Sequence, residues 1–297
     1  MPAVLAAVAA AVRTPPDGLP ITVPCASKLV AGKGRGFLQS VLHARGIIKR
    51  FGSILALAHV DLDVYPGEVV ALLGDNGAGK STLIKILSGV YRQDGGTLHI
   101  EGQPVRFADP MEARSLGIET VYQDLALAPH LDIASNIFLG RESLRKGWLG
   151  ALGFLDRRSM REDAGVKLAQ LKAPVKSVRQ TVDQLSGGQR QAVAIARAAS
   201  FGTKLIIMDE PTAALGVEES AKVLDLVGEI KSRGIPVIFV THTLPFAFAV
   251  ADRIVVLRLG RSVVSLNTAE TNINEVVQWI TGSKSVDHIA ELQGHRG

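Results

Sequence analysis

One stretch constrains this chain more than any other. Residues 74–82 read Gly-Asp-Asn-Gly-Ala-Gly-Lys-Ser-Thr, between the apolar run Val69–Leu73 and the helix-forming stretch Lys80–Ser88. Gly74, Gly79, Lys80 and Ser81 satisfy the G-x-x-x-x-G-K-[ST] pattern, in its required setting of buried strand, loop and helix. Glycines at Gly74, Gly77 and Gly79, with Asp75, Asn76 and Ala78 between them, let the backbone fold tightly and aim successive N–H groups at an anion. The N-terminus of the following helix adds its positive dipole end. Lys80 is expected to reach the β- and γ-phosphates of a nucleotide, and the Ser81 hydroxyl, followed by Thr82, to ligate Mg²⁺. The chain is therefore built around an open, mostly parallel α/β sheet that binds phosphate at one edge.

Two further stretches carry chemistry. Leu205–Met208 is four apolar residues running into Asp209, Glu210 and Pro211, which places two carboxylates at the C-terminal edge of a central strand, where ligands sit in such sheets. Asp209 is the candidate Mg²⁺ ligand, and Glu210 the candidate general base for an attacking water. Residues 185–189, Leu-Ser-Gly-Gly-Gln, precede the strong helix former Arg190–Ala198. Ser186, Gly187, Gly188 and Gln189 then open a helix with free N–H groups and a hydroxyl, a second anion-binding start; taken alone, the same five residues also read as a plain N-cap.

Periodicity supplies the rest. Val41–Ile47, Ala58–Val64, Val69–Leu73, Gly96–Ile100, Gly117–Val121, Lys204–Met208, Pro236–Val240 and Arg253–Leu257 read as strands. Helices are predicted over Lys80–Ser88, Glu218–Arg233 and Phe246–Ala251, and between about residues 125 and 190 over Ala134–Gly140, Asp156–Leu171 and around Asp183. Two β/α blocks thus flank a helical insert, with no internal repeat.

Charge and cysteine content limit the function classes. The 297 residues carry a formal net charge of +5 and a pI near 9.4, which taken whole suggests a nucleic-acid or membrane-surface partner. Residues 1–50 hold seven of the 33 bases and one of the 28 acids, so the other 26 bases face 27 acids and the remainder is not basic. The single cysteine, Cys25, excludes an intrachain disulfide and a Cys-rich metal site, as expected in a reducing compartment. The longest apolar run, Ala3–Val12, is ten residues, too short to span a bilayer, and no positive charge precedes it as in a signal peptide. Residues 1–40 read as a mobile extension, 41–265 as the domain, and 266–297 as a C-terminal tail.

In order and spacing, Gly74–Thr82, Gln123, Leu185–Gln189, Leu205–Pro211 and His242 resemble the ATP-binding subunits of ABC transporters across about residues 41–265. The resemblance implies a P-loop NTPase (RecA-like) core with an antiparallel β subdomain and an inserted helical subdomain. It implies ATP and Mg²⁺ as ligands and ATP hydrolysis as the activity. It assigns Phe51 to stacking on adenine, Gln123 to sensing Mg²⁺ and the attacking water and to coupling with the membrane partner, and His242 to the γ-phosphate. Ser186–Gln189 would complete the ATP site of a second ATP-binding subunit, so that two chains, as in a homodimer, sandwich two nucleotides.

Gly89–Tyr91, Glu119–Asp124, Asn136–Glu142 and Ala213–Val217 further resemble single-cassette monosaccharide importers of the fructose and ribose type. That implies a peripheral position on the cytoplasmic face of the cell membrane, a transmembrane permease, an extracytoplasmic sugar-binding protein and no nucleic-acid partner. Gly216 stands where most cassettes carry Asp, which weakens the expected signalling across the dimer. The competing reading is a soluble ATPase of the same family acting on ribosomes or nucleic acid. Such proteins carry tandem cassettes or a long coiled-coil insert, and neither is found in this sequence.

Overall fold

The computed structural model describes residues 40–284. Of the expected N-terminal extension all but Ser40, including the Ala-rich run and Cys25, and of the expected tail everything past Lys284, lie outside the described residues.

Two sheets organise the domain. The first is antiparallel, in the order β2-β1-β4-β5, from β1 (Leu42–Phe51), β2 (Ile54–Val64), β4 (Gly95–Ile100) and β5 (Gln103–Val105). The second has the order β10-β9-β3-β8-β7-β6, from β3 (Val69–Leu73), β6 (Ile118–Val121), β7 (Leu205–Asp209), β8 (Val237–Val240), β9 (Arg253–Arg258) and β10 (Arg261–Asn267). Strands β9, β3, β8, β7 and β6 run parallel, and β10 closes the edge antiparallel to β9.

The continuous apolar runs follow from burial on both faces. Alternate residues point to opposite sides of a strand. Val69, Ala71 and Leu73 with Ile206, Met208, Val237 and Phe239 face one core; Val70 and Leu72 with Leu205, Ile207, Ile238 and Val240 face the other. The second core lies between the large sheet, helix α1 (Lys80–Leu87) and the antiparallel sheet, which contributes Leu42, Ile47, Leu57 and Val60. The first is covered by helices, chiefly α6 (Gly187–Phe201) and α7 (Val217–Ser232), with α8 (Leu244–Val250) beside them.

Between β6 and α6 lie the short α3 (Ile133–Ile137) and α4 (Trp148–Ala151) and the longer α5 (Arg157–Gln170), while α2 (Pro110–Ser115) precedes β6. Met160, Ala164 and Leu168 of α5, with Leu171 just beyond it, are buried on one stripe. Lys167 leaves that stripe, and its Nζ donates to the Ser200 carbonyl instead.

Three sequence expectations change. The helix expected to run to Gly140 stops at Ile137, because Leu139 and Gly140 turn back with Gly140 at φ +77°. The region around Asp183 is a single 3-10 turn, Val182–Gln184, held between a bridge at Thr181 and extended Leu185. The segment set apart as a tail from residue 266 instead holds, as far as Lys284, the end of β10 and helix α9 (Ile273–Thr281), whose Val276 and Trp279 are buried in the first core. Its amphipathic spacing at Ile273, Val276, Val277 and Ile280 was legible in the sequence.

Of the basic residues that begin the chain, Arg45 pairs with Asp63 at 2.6 Å and Lys49 with Asp94 at 2.9 Å. Among the described residues no helix is long and apolar enough to cross a membrane.

Candidate nucleotide-binding site

The phosphate loop leaves the C-terminal end of β3 and enters α1. Its glycines adopt backbone angles that side chains resist, with φ +151° at Gly74, +79° at Gly77 and +105° at Gly79. A Cβ on Gly74 would lie 2.2 Å from the Leu257 carbonyl oxygen, and one on Gly79 would lie 2.7 Å from Leu57 Cδ2. The loop is therefore wedged between β9 and β2. Gly79 caps α1 without a side chain, and the first turn carries no acid. The N–H groups of Lys80, Ser81 and Thr82, which a helix leaves without internal partners, are thus free of a side-chain cap. Lys80 is buried and bent back, its Nζ donating to the carbonyls of Gly74 at 2.7 Å and Asp75 at 3.0 Å. Burial lowers its pKa, opposed by the charges of Glu210, Asp75 and Asp209. The Asp75 carboxylate accepts from Asn76 N, and the Ala78 N–H donates to the Asp75 carbonyl, closing the loop on itself.

Sheet order brings the acids to this loop. Strand β8 lies between β3 and β7, with Leu72 level with Val240 and Asp209 level with Val240 on its other side. Asp209 is pushed above the usual carboxylate range, first by burial and then by Glu210, against the pull of Lys80 and Lys85. Glu210 follows with φ +52°, a left-handed conformation costly for a residue with a side chain and enriched at functional sites. Its N–H donates to the Val240 carbonyl at 2.9 Å, fixing the turn. His242, just past β8, meets the Glu210 carboxylate through Nδ1 at 2.9 and 3.0 Å and is largely exposed. Buried Thr241 precedes it and accepts from Thr243 N. A cavity of about 230 Å³ is lined by Gly74, Asp75, Thr241 and His242 together with Val277 and Ile280 of α9.

Gln123 comes two residues after β6, the strand beside β7, and is exposed. The segment beyond it is tethered to the helices. Arg197 of α6 donates to the carbonyls of Leu125 and Ala126, both at 2.8 Å, and fully buried Asn136 accepts from Ala128 N and donates to the carbonyls of Ala128, Leu131 and Asp132. The buried Glu119 of β6 pairs with Arg141. Asn136 and Arg141 fall in the Asn136–Glu142 segment that carries the resemblance, but the sequence assigns no role to them or to Arg197, because each works through backbone or partners distant in the chain.

The structure does not bring every expected residue to one place. Phe51 ends β1 in the antiparallel sheet, its ring edge-on to Tyr91 with centroids 5.2 Å apart. Ser186–Gln189 form the start of α6 as a capping box: Ser186 Oγ accepts from Gln189 N, and Gln189 Oε1 accepts from Ser186 N. Their remaining hydrogen bonds run to Glu219 and Pro174, not to the phosphate loop.

The donor set suits Mg²⁺ rather than a metal caged by protein alone. No group of three or more His, Cys, Asp or Glu able to hold a metal occurs among the described residues. Mg²⁺ ordinarily keeps water and substrate phosphates beside one or two protein oxygens, which Ser81 and Asp209 can supply.

Comparison with known proteins places these features in a family. The ABC transporter family model matches residues 57–213. The fructose import ATP-binding protein FrcA of Rhizobium meliloti is 50% identical over 248 residues, covering 83% of this chain and 95% of that protein. The xylose/arabinose import ATP-binding protein XylG of Sulfolobus acidocaldarius is 48% identical, covering 82% and 95%. The ribose import ATP-binding protein RbsA of Geobacillus kaustophilus is 40% identical, but this chain spans only 48% of its length. Among solved structures, the ADP conformation of an ATP-binding cassette of an ABC transporter matches with a TM-score of 0.70 and 26% identity, covering 84% of this chain and 97% of that one. A dimeric post-hydrolysis cassette bound to ADP and Pi matches with a TM-score of 0.64 and 27% identity, covering 76% and 98%. The wedged phosphate loop, the carboxylates on the neighbouring strand end and these matches lead to one conclusion: the chain belongs to the ABC transporter family, as an ATP-binding cassette.

Proposed function

We propose that this cassette hydrolyses Mg²⁺-ATP as one half of a head-to-tail dimer, at the cytoplasmic face of the cell membrane, and powers import of a monosaccharide through a permease fed by an extracytoplasmic sugar-binding protein. The observation that carries the reading is the register of β3, β8 and β7, which assembles Lys80, Asp209, Glu210 and His242 from three strand ends. Sugar as the cargo is supported by identity over nearly the full length of the fructose and xylose/arabinose import proteins.

In this reading the loop backbone from Gly74 to Gly79 and the N–H groups of Lys80, Ser81 and Thr82 hold the phosphates. Lys80 exchanges its carbonyl partners, Gly74 and Asp75, for phosphate oxygens. Such charge-assisted hydrogen bonds contribute roughly 1.5–3 kcal/mol each. Ser81 and Asp209, with Gln123 just beyond β6, would hold Mg²⁺, which would neutralise charge building on the phosphates. Glu210 accepts a proton from the attacking water, and His242, hydrogen-bonded to it, orients that carboxylate and faces the terminal phosphate. Phe51 stacks on the base. Ser186, Gly187, Gly188 and Gln189 close the second copy's site.

The test is Glu210→Gln. The variant is expected to retain ATP binding and accumulate as an ATP-bound dimer, while turnover falls about 10²–10⁴-fold. Hydrolysis at the wild-type rate would reject Glu210 as the base. Sugar uptake by cells carrying the cognate permease, abolished in the same variant, tests the coupling.

A further inference from the structure

The start of α6 is not empty. Glu219, three residues into α7, points its carboxylate at Ser186–Gln189, here called the signature stretch: Ser186 Oγ donates to Glu219 Oε1 at 3.2 Å, and the Gly188 N–H approaches the same oxygen at 3.4 Å. The two elements are in close contact here. A Cβ on Gly188 would lie 2.9 Å from Glu219 Cβ and Cγ, so only glycine leaves room for this side chain. The other carboxylate oxygen, Oε2, accepts from Gly216 N at 3.4 Å, which makes Glu219 the capping residue of its own helix as well. One carboxylate therefore serves two helix N-termini, and at α6 it takes up a hydroxyl and an N–H that an incoming phosphate would use.

We propose that Glu219 is a positioning residue that acts through Ser186: its carboxylate holds the anion seat of the signature stretch in the single chain, and a nucleotide carried by a second copy must displace it when the dimer closes. This rests on the dimeric reading above. An anion brought to Ser186 and Gly188 cannot share their protons with a carboxylate at the same place, and two like charges at one helix start repel. Displacement is feasible because Glu219 is only partly buried and keeps its second partner, Gly216 N, when it swings away. Gly216 itself, with nothing within 4 Å of where its Cβ would stand, leaves that pivot open. Glu219 thus sets how much ATP is needed to close the dimer, without touching the phosphate loop that binds the nucleotide first.

The experiment compares Glu210→Gln with Glu210→Gln/Glu219→Gln by analytical ultracentrifugation across an ATP titration. Glutamine retains an oxygen that can accept from Gly216 N, since Glu and Gln both serve at that position, but removes the charge. The expected result is dimerisation at roughly tenfold lower ATP in the double variant, equivalent to about 1.4 kcal/mol. Two companion readouts are expected to stay fixed: the melting temperature, and binding of a fluorescent ATP analogue at protein concentrations too low to dimerise. Unchanged or higher ATP demand in the double variant would overturn the proposal and make Glu219 a plain capping residue. A Glu210→Gln protein that never dimerises with ATP would instead reject the dimeric reading beneath it. Glu219→Ala, which loses both caps, is expected to melt lower, separating the structural contribution from the charge.

Discussion

Replacing Arg141 probes how the helical segment is attached to the strand that leads to Gln123. Arg141 lies just past α3, and its guanidinium pairs with Glu119 of β6, four residues before Gln123, while stacking on the Phe201 ring with 4.4 Å between guanidinium carbon and ring centre. Arg141→Met keeps much of the stem but leaves the Glu119 carboxylate, 8% exposed, without its cation. Removing one member of a fully buried pair costs about 3–5 kcal/mol. The Arg141 side chain is 29% exposed, and Arg197 lies close enough to Glu119 to share its charge, so the cost here falls to about 2–3 kcal/mol, including about 0.5–1 kcal/mol for the lost stacking. Urea denaturation of wild type, Arg141→Met, Glu119→Gln and the double variant measures the pair directly. A coupling energy of about 1–2 kcal/mol is expected, with lowered turnover but unchanged nucleotide affinity in Arg141→Met, since the phosphate loop is not involved. Losses that add to within about 0.5 kcal/mol would mean the two residues do not interact, and would refute the argument.

Three other changes test separate parts of the protein. Asp209→Asn should abolish turnover yet stabilise the fold by about 0.5–2 kcal/mol, since burial and the neighbouring Glu210 both disfavour the charged form of the wild-type carboxylate. A carboxyl with a raised folded-state pKa favours the fold at acidic pH and loses that contribution as pH rises through its raised range, so the gain of Asp209→Asn over wild type should grow from acidic to neutral pH in thermal melts. Gly74→Ala should cost more than about 2 kcal/mol and weaken ATP binding, because its Cβ would stand 2.2 Å from the Leu257 carbonyl at a backbone angle of +151°. Gly228→Ala, in the exposed interior of α7 with open space around it, should instead raise stability by about 0.5–1 kcal/mol with ATPase activity unchanged.

Much of the site was legible because it is local. Nine residues from Gly74 to Thr82 encode their own loop: the glycines permit the positive φ angles, the helix start presents N–H groups, and Lys80 and Ser81 follow at fixed offsets. The apolar run Leu205–Met208 identified a strand covered on both faces, which places Asp209 and Glu210 at its edge. The Ser186–Gln189 capping box also needs only three residues of spacing. Helix α9 was missed although its stripe was visible, because the stretch lies past the last recognised strand and its apolar face has meaning only against the body that buries Val276 and Trp279.

The sequence by itself determined the class of sheet, the phosphate loop and the chemistry available at the strand ends, since these depend on backbone freedom and on burial patterns a few residues long. The tertiary structure alone decided which distant groups meet. Strand order, with β8 inserted between β3 and β7, brings Lys80 within Coulombic reach of Asp209 and Glu210 and sets His242 against that glutamate. The packing of α6 on β6 and α7 tethers the segment after Gln123 to Arg197 and puts Glu219 against Ser186. No local rule specifies such pairs, because their partners are joined only by the way whole elements bury their apolar faces against one another.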